Sequence, residues 1–365
     1  MFMRFTVLFC VTVFFIMVCY ANPEEQPCIR RIQDLRIDTN QHETIYIQVL
    51  DLRGNELDNV TIYKSLNAGK SWLNISSTDH WVGDIVVNPK DSQIIYFGNT
   101  AFKSYFGNKS TDNGRNWSKI DVAPRLIHPQ DTAIMYATSP LGLRKSIDGG
   151  TGWIDLKGDW AGCREIVLAH QNPNILYAHC WGGSSDGIFK SSNAGASWSI
   201  VLPVTSVWNL AIDPNNSEIV YAGTRFHGVY RSMDGGKKWD TVNRGLPKGM
   251  PDMPWDYETR KLHFSKMSAY ESIRRLVIDP IRSSILYIGT PSGVFKSIDR
   301  GANWRGINKG LPDRFSVSAL AIDPKNSDIL YIGTWSRGVF KSIDGGENWV
   351  PASEGIACGQ PINIW

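Results

Sequence analysis

The chain has no surplus of charge of either sign. Lys and Arg total 38 against 35 Asp and Glu, a net +3 over 365 residues, so there is no broad basic footprint for nucleic acid. Beyond the first twenty-one residues no apolar run is long enough to cross a membrane as a helix. Cysteine is scarce, six in all, and no two sit at the short spacing that zinc sites favour. A nucleophile elbow, a phosphate loop and a His-Glu-x-x-His helix are all missing. Neither a metal nor a cofactor is expected. What is present is the balance of a globular protein, 42% apolar and 20% charged. Half of its 14 tryptophans mark a repeat.

The N-terminus reads as an address. Met1 to Arg4 supplies one positive charge, Phe5 to Val18 is almost wholly apolar, and Ala21 precedes an abrupt polar turn at Asn22-Pro23-Glu24-Glu25. Residues 1–21 are therefore expected to be a cleaved signal peptide. An uncleaved anchor and a lipid-modified Cys19 are the alternatives. The mature chain, 22–365, is expected to be secreted or periplasmic, monomeric and without a membrane span. Removing Cys10 and Cys19 leaves Cys28, Cys163, Cys180 and Cys358, an even number suited to an oxidising compartment. Of the three pairings we favour Cys28–Cys358, tying the chain ends, and Cys163–Cys180, on neighbouring strands. Asn59, Asn74, Asn108, Asn116 and Asn215 begin Asn-x-Ser/Thr sequons.

One string recurs seven times: Ser-x-Asp-x-Gly-x-x-Trp, with Asn replacing Asp twice. The copies start at Ser65, Ser110, Ser146, Ser191, Ser232, Ser297 and Ser342. The acceptor position is Asn67, Asp112, Asp148, Asn193, Asp234, Asp299 and Asp344 in turn. This is a β-hairpin corner. Asp or Asn accepts N–H bonds from just ahead, Gly takes a positive φ, and Trp returns as an apolar wedge. Seven like acids on seven like turns point to architecture rather than to calcium or catalysis.

A second repeat precedes each turn, clearest at Ile322-Asp323-Pro324 followed by Leu330-Tyr331-Ile332-Gly333-Thr334. Each unit offers four short β-rich runs. The serines are spaced 45, 36, 45, 41, 65 and 45 residues apart, the length of a four-stranded propeller blade. We expect an all-β fold, a single seven-bladed β-propeller of four-stranded antiparallel blades, closed between the N-terminal strand near Leu35 and the C-terminal tail.

The pattern resembles the BNR, or Asp-box, β-propeller family across nearly the whole mature chain. The family includes sialidases, xyloglucan-degrading glycosidases, sortilin-type receptors and photosystem-II assembly factors. The resemblance implies the fold, and fold does not settle chemistry.

Chemistry is sought on the face opposite the repeated turns. Trp160, Trp181, Trp208 and Trp335, with Trp81, fall there, joined by Tyr105, Phe106 and Phe226; they are either a ligand platform or inter-blade packing. Arg164, Arg225, Arg274, Arg314 and Arg337, with His227, suit carboxylates, phosphates or an acidic partner surface. The alternative is that nearby Asp84, Glu165, Asp186, Glu271 and Asp313 pair with them. An insertion at about 245–270, carrying Trp255, three methionines and His263, is expected to project from the same face as a binding loop or to tuck against it.

Enzyme readings are tested by what they require. A sialidase resembling its family would show Arg-Ile-Pro, but Arg31-Ile32 is followed by Gln33. A glycosidase needs an acid and a base flanking a cleft. Asp84, Glu165, Asp186 and Glu271 are the candidates, although the xyloglucan-degrading relatives set their cleft between two propellers and this chain has one. The reading is a binding or assembly module recognising a protein or glycan through the face opposite the turns. The alternative is a glycoside hydrolase using carboxylates on that face.

Overall fold

The computed structural model describes residues 30–51, 59–78, 82–99, 107–139, 141–183, 186–248, 255–256, 261–262, 270–313 and 315–356. Cys28, Cys358, Trp81, Tyr105, Phe106, Arg314 and the N-terminal apolar segment lie outside them, as does most of the insertion. Within the insertion the described elements are a short antiparallel pair, Trp255–Asp256 with Lys261–Leu262.

There is no helix among the described residues. Seven four-stranded antiparallel sheets follow one another along the chain. They are blade one (30–78), two (82–120), three (126–155), four (162–202), five (207–241), six (275–306) and seven (317–351). In each, the strands pair in sequence order and the first faces the centre of the ring. The second strands are buried on both sides. Leu330–Thr334, for example, has no exposed residue, which explains its unbroken run of β-formers.

The repeated turns are held as the residue types demand. In every copy the serine hydroxyl accepts the N–H of the glycine four residues on, as Ser297 does from Gly301 at 2.8 Å. The acidic or amide oxygen accepts the N–H four residues beyond itself, as Asp299 does from Asn303 at 2.9 Å. The glycines take φ between 83° and 91°, which a side chain would resist. The Asp and Gly roles were legible in the sequence; that of the serine emerges only from the fold.

The turns also join blades. The second-strand tyrosine and third-strand lysine of one blade both reach a carbonyl in the next blade's turn. Tyr287 Oη and Lys296 Nζ donate to Gly345 O at 3.2 and 2.9 Å, and Tyr136 and Lys145 share Ala194 O in the same way. Turn tryptophans reach in the opposite direction. Trp117, Trp304 and Trp349 donate Nε1–H to Ile75 O, Val242 O and Ile307 O of the preceding blades.

The same bonds close the ring. Trp72 of blade one donates to Ala352 O beyond blade seven at 2.8 Å, Tyr331 to Ala68 O at 3.0 Å, and Ser318 to Ile32 O at 2.5 Å. Blade one therefore docks on blade seven through the tyrosine and tryptophan turn bonds seen between other blades. The Cys163–Cys180 disulfide is present, joining facing residues of the first and second strands of blade four.

Candidate binding face

First strands run from the face opposite the turns toward the turn face, and they line the centre. In five blades this strand carries an irregularity of register near its start, between Ile32 and Asp34, Val82 and Ile85, Cys163 and Glu165, Val207 and Asn209, and Val317 and Ala319. A bulge re-aims the side chain it displaces. Arg164 and Trp208 are two of the displaced residues, the first exposed and the second half-buried.

An ion-pair ladder crosses four consecutive blades. Arg36 of blade one holds Asp34 at 3.0 Å and Asp84 of blade two at 2.8 Å. Arg125, just ahead of blade three, holds Asp84 at 2.9 Å and Glu165 of blade four at 2.8 Å. Burial opposes the charge on Asp84, but Arg125 and then Arg36 overcome it and keep the carboxyl well below the usual range. Asp84 is therefore a fixed anion, unsuited to donating a proton near neutrality. Sequence reasoning named Asp84 and Glu165 but missed Arg36, Arg125, Arg275 and Asp34. A signal was available: the same first-strand position, four residues before the end of the strand-one segment, is polar or charged in five blades, as Asp34, Asp84, Glu165, Asn209 and Arg275.

The acids are used up on one side of the ring while arginines accumulate on the other. Arg275 donates to Gln33 O at 2.9 Å and reaches Asp34 only at 3.9 Å. Arg31 and Arg164 have no carboxylate at ion-pair distance among the described residues. Burial, then Arg274, Arg275 and Arg164, lower the Arg31 pKa to about 10, and burial followed by Arg125 lowers that of Arg164. Among the described residues, guanidiniums at positions 31, 36, 125, 164 and 275 thus meet carboxylates at 34, 84 and 165.

Two tryptophans hold arginines of this cluster. Trp335 has Arg31 at 4.6 Å and Arg274 at 4.8 Å from its ring centre. Trp208 has Arg164 at 5.4 Å and Arg225 at 5.7 Å, and Arg225 also lies 4.9 Å from Phe226. Such stacking fixes a guanidinium while leaving its N–H edge available. Of the remaining candidates, Trp160 packs between blades against Phe189 and Trp198, which is the packing alternative. Trp181 lies beside buried His179, whose pKa is lowered to about 4 by burial and Arg164. His227 and Arg337 are on links at this face. Trp255 belongs to the insertion hairpin. Asp186 precedes the third strand of blade four, and Glu271 accepts the N–H and hydroxyl of Ser292. The structure joins Asp84 to Glu165 through Arg125, whereas the partner seen for Glu271 among the described residues is Ser292.

No protein-family model matches the chain. Curated relatives include a xyloglucanase of Hypocrea jecorina, 28% identical over 154 residues, covering 35% of this chain and 18% of that protein. A second is the xyloglucanase Xgh74A of Acetivibrio thermocellus, 26% identical over 219 residues, covering 51% and 26%. The chain thus spans about a quarter or less of the length of these relatives. Among solved structures, a GH74 xyloglucanase from Xanthomonas campestris is similar with TM-score 0.58 and 15% identity, covering 88% of this chain and 60% of that one. YCF48 from Cyanidioschyzon merolae has TM-score 0.56 and 13% identity, covering 87% and 96%. YCF48 has also been solved bound to D1 peptide, with TM-score 0.57 to this chain. At these identities the structural likeness is one of fold, the seven-bladed propeller expected from the repeats.

Proposed function

We propose that this protein is a binding or assembly module, working in an oxidising compartment outside the cytoplasm, that holds an acidic segment of a partner protein on the face opposite its repeated turns. One observation carries the reading: Arg31 and Arg164 are stacked on tryptophans, lie within a cluster of arginines, and have no carboxylate at ion-pair distance among the described residues. A guanidinium crowded by like charges and without an acid costs stability, and an incoming carboxylate would relieve that cost while forming charge-assisted hydrogen bonds. The complex of YCF48 with a peptide supports a protein ligand for a propeller of this shape. The test is fluorescence anisotropy of labelled hexaglutamate and hexalysine peptides with residues 22–365 at about 50 mM salt, where charge attraction is strong. Hexaglutamate should bind and hexalysine should not. Equal binding of both, or binding untouched by Arg31→Gln with Arg164→Gln, rejects the reading.

The second reading, a glycoside hydrolase, is favoured by the xyloglucanase relatives. It would rest on Asp186 and Glu271 more than on Asp84, whose carboxyl is pinned as an anion. New reducing ends from a polysaccharide panel that includes xyloglucan, lost on Asp186→Asn or Glu271→Gln, would establish it in place of the first.

A further inference from the structure

On the turn face, at the seam where blade seven meets blade one, lies a cavity of about 290 Å³. Its lining includes His42, Glu43, Lys70, Asp323, Tyr331 and Lys341. The arginine cluster is on the opposite face, so a ligand in this cavity would be independent of the partner proposed for that face.

The neighbouring seam, between blades six and seven, shows what is different here. There, Arg282 spans the gap, holding Asp279 at 3.0 Å and Asp328 at 2.7 Å. The third-strand Lys296 faces Glu347 of the next turn at 3.5 Å. At the closing seam both features change. The position of Arg282, three residues after the loop aspartate, is the short Asn326, so no guanidinium fills the space. The position of Glu347, five residues after the turn serine, is Lys70. Lys341, the counterpart of Lys296, therefore faces a like charge in place of an acid.

The other charges at the seam do not restore that pair. Asp323 is buried, accepts the N–H groups of Lys325 and Asn326, and has His42 at 3.4 Å. Glu43, also in the lining, is exposed. Lys341 is held against the Tyr331 ring at 5.3 Å and donates to Ala68 O at 3.3 Å. Burial, followed by Lys70, lowers its pKa, while Asp323 and Glu43 oppose that shift. Two ammonium groups thus border, with Asp323 and Glu43, a cavity that has lost the acid its neighbour sets against the third-strand lysine.

We propose that this closing-seam cavity is a binding site for a small oxyanion-bearing solute, a carboxylate or phosphate, held between Lys70 and Lys341. Because one lysine belongs to blade one and the other to blade seven, such a ligand would bridge the ends of the ring. Its binding should therefore appear as resistance to unfolding.

The experiment is thermal unfolding of residues 22–365 with inorganic phosphate, acetate or chloride at matched ionic strength. Phosphate or acetate should raise Tm saturably by about 2–4 °C and chloride should not. Lys70→Glu, which recreates the lysine–glutamate pair of the neighbouring seam, should raise Tm without added anion and abolish the response. The comparison of wild-type Lys70 with Lys70→Glu is made in the Arg31→Gln, Arg164→Gln background, so that the carboxylate response expected of the arginine face does not enter it. A second measurement needs no variant: the stabilising anion should slow acetylation of Lys70 and Lys341 while leaving exposed Lys238 unchanged. A Tm that follows ionic strength alone, a full response in Lys70→Glu, or unprotected lysines would each overturn the proposal. The response to phosphate against acetate tells which oxyanion is preferred.

Discussion

Arg125 divides its guanidinium between two carboxylates, giving one nitrogen to Asp84 at 2.9 Å and another to Glu165 at 2.8 Å. All three side chains are less than a fifth exposed. These two acids looked like catalytic candidates in the sequence. In the fold they are the anions of a bridge linking blades two, three and four. Their fixed pairing leaves the excess positive charge elsewhere on the ring.

Arg125→Met tests the ladder. Glu165 would lose the guanidinium that pairs with it and Asp84 would keep only Arg36, at a cost of about 2–4 kcal/mol near neutral pH. The depressed Asp84 pKa makes its contribution full above the ordinary carboxylate pKa of about 4 and progressively lost as pH falls below it. Denaturant unfolding from pH 7 to pH 3 should therefore show the gap between variant and wild type shrinking toward acid. A gap that does not change with pH would mean that charge pairing is not what the variant removes.

The arginine cluster predicts opposite effects on stability and binding. Arg31 and Arg164 sit among like charges, so Arg31→Gln with Arg164→Gln should leave Tm unchanged or raise it. Affinity for an acidic peptide should fall about tenfold for each charge-assisted bond lost. The slope of affinity with salt should flatten as well. Loss of both stability and binding would instead assign these residues to the scaffold.

The fold was readable because its information is local and repeated. Serine, Asp or Asn, Gly and Trp at fixed offsets specify one turn, and the turn specifies where neighbouring blades attach. The tyrosine of Leu330-Tyr331 and the lysine of Phe340-Lys341 recur because together they reach the next turn's carbonyl, as Tyr136 with Lys145 and Tyr287 with Lys296 do. The binding face was only partly readable. Arg164, Trp208, Arg225 and Trp335 stood out once the repeat was subtracted. Arg31 and Arg275 did not, because they lie within ordinary-looking first strands. Nor does sequence spacing reveal that Arg125 uses up Asp84 and Glu165, since that pairing exists only when three blades converge. Trp160, a conspicuous aromatic in the sequence, packs against Phe189 and Trp198.

The disulfide is a further test. Cys163 and Cys180 face each other across two strands with 17 residues of separation. Closing a loop of that size restricts the unfolded chain by about 3 kcal/mol. Cys163→Ala with Cys180→Ala should lower stability by roughly that amount without altering peptide binding, because the pair sits inside blade four. Reduction of the native protein should give the same loss once the buried bond is reached. No change in either experiment would show that the bridge does not constrain the unfolded state.

Turn chemistry gives the most detailed prediction. Where the acceptor is Asp, three turns carry Asn four residues later, and its amide donates to the second carboxylate oxygen. These pairs are Asp112 with Asn116, Asp299 with Asn303 and Asp344 with Asn348, at 2.6 to 2.7 Å. Where the acceptor is Asn, the residue four on is Ser, and the amide donates to its hydroxyl: Asn67 to Ser71 at 2.8 Å and Asn193 to Ser197 at 2.9 Å. Donor and acceptor have exchanged sides together. Asp299→Asn alone should set two amide donors against each other and cost about 1 kcal/mol. Asn303→Ser alone should cost less, since a hydroxyl can still donate to Asp299. The double variant should recover most of the first loss, because it recreates the arrangement at Asn193 and Ser197. Denaturant midpoints for the four proteins of this cycle measure the coupling directly. Strict additivity would show that the pairing is incidental to the turn and that the backbone N–H bonds alone hold it.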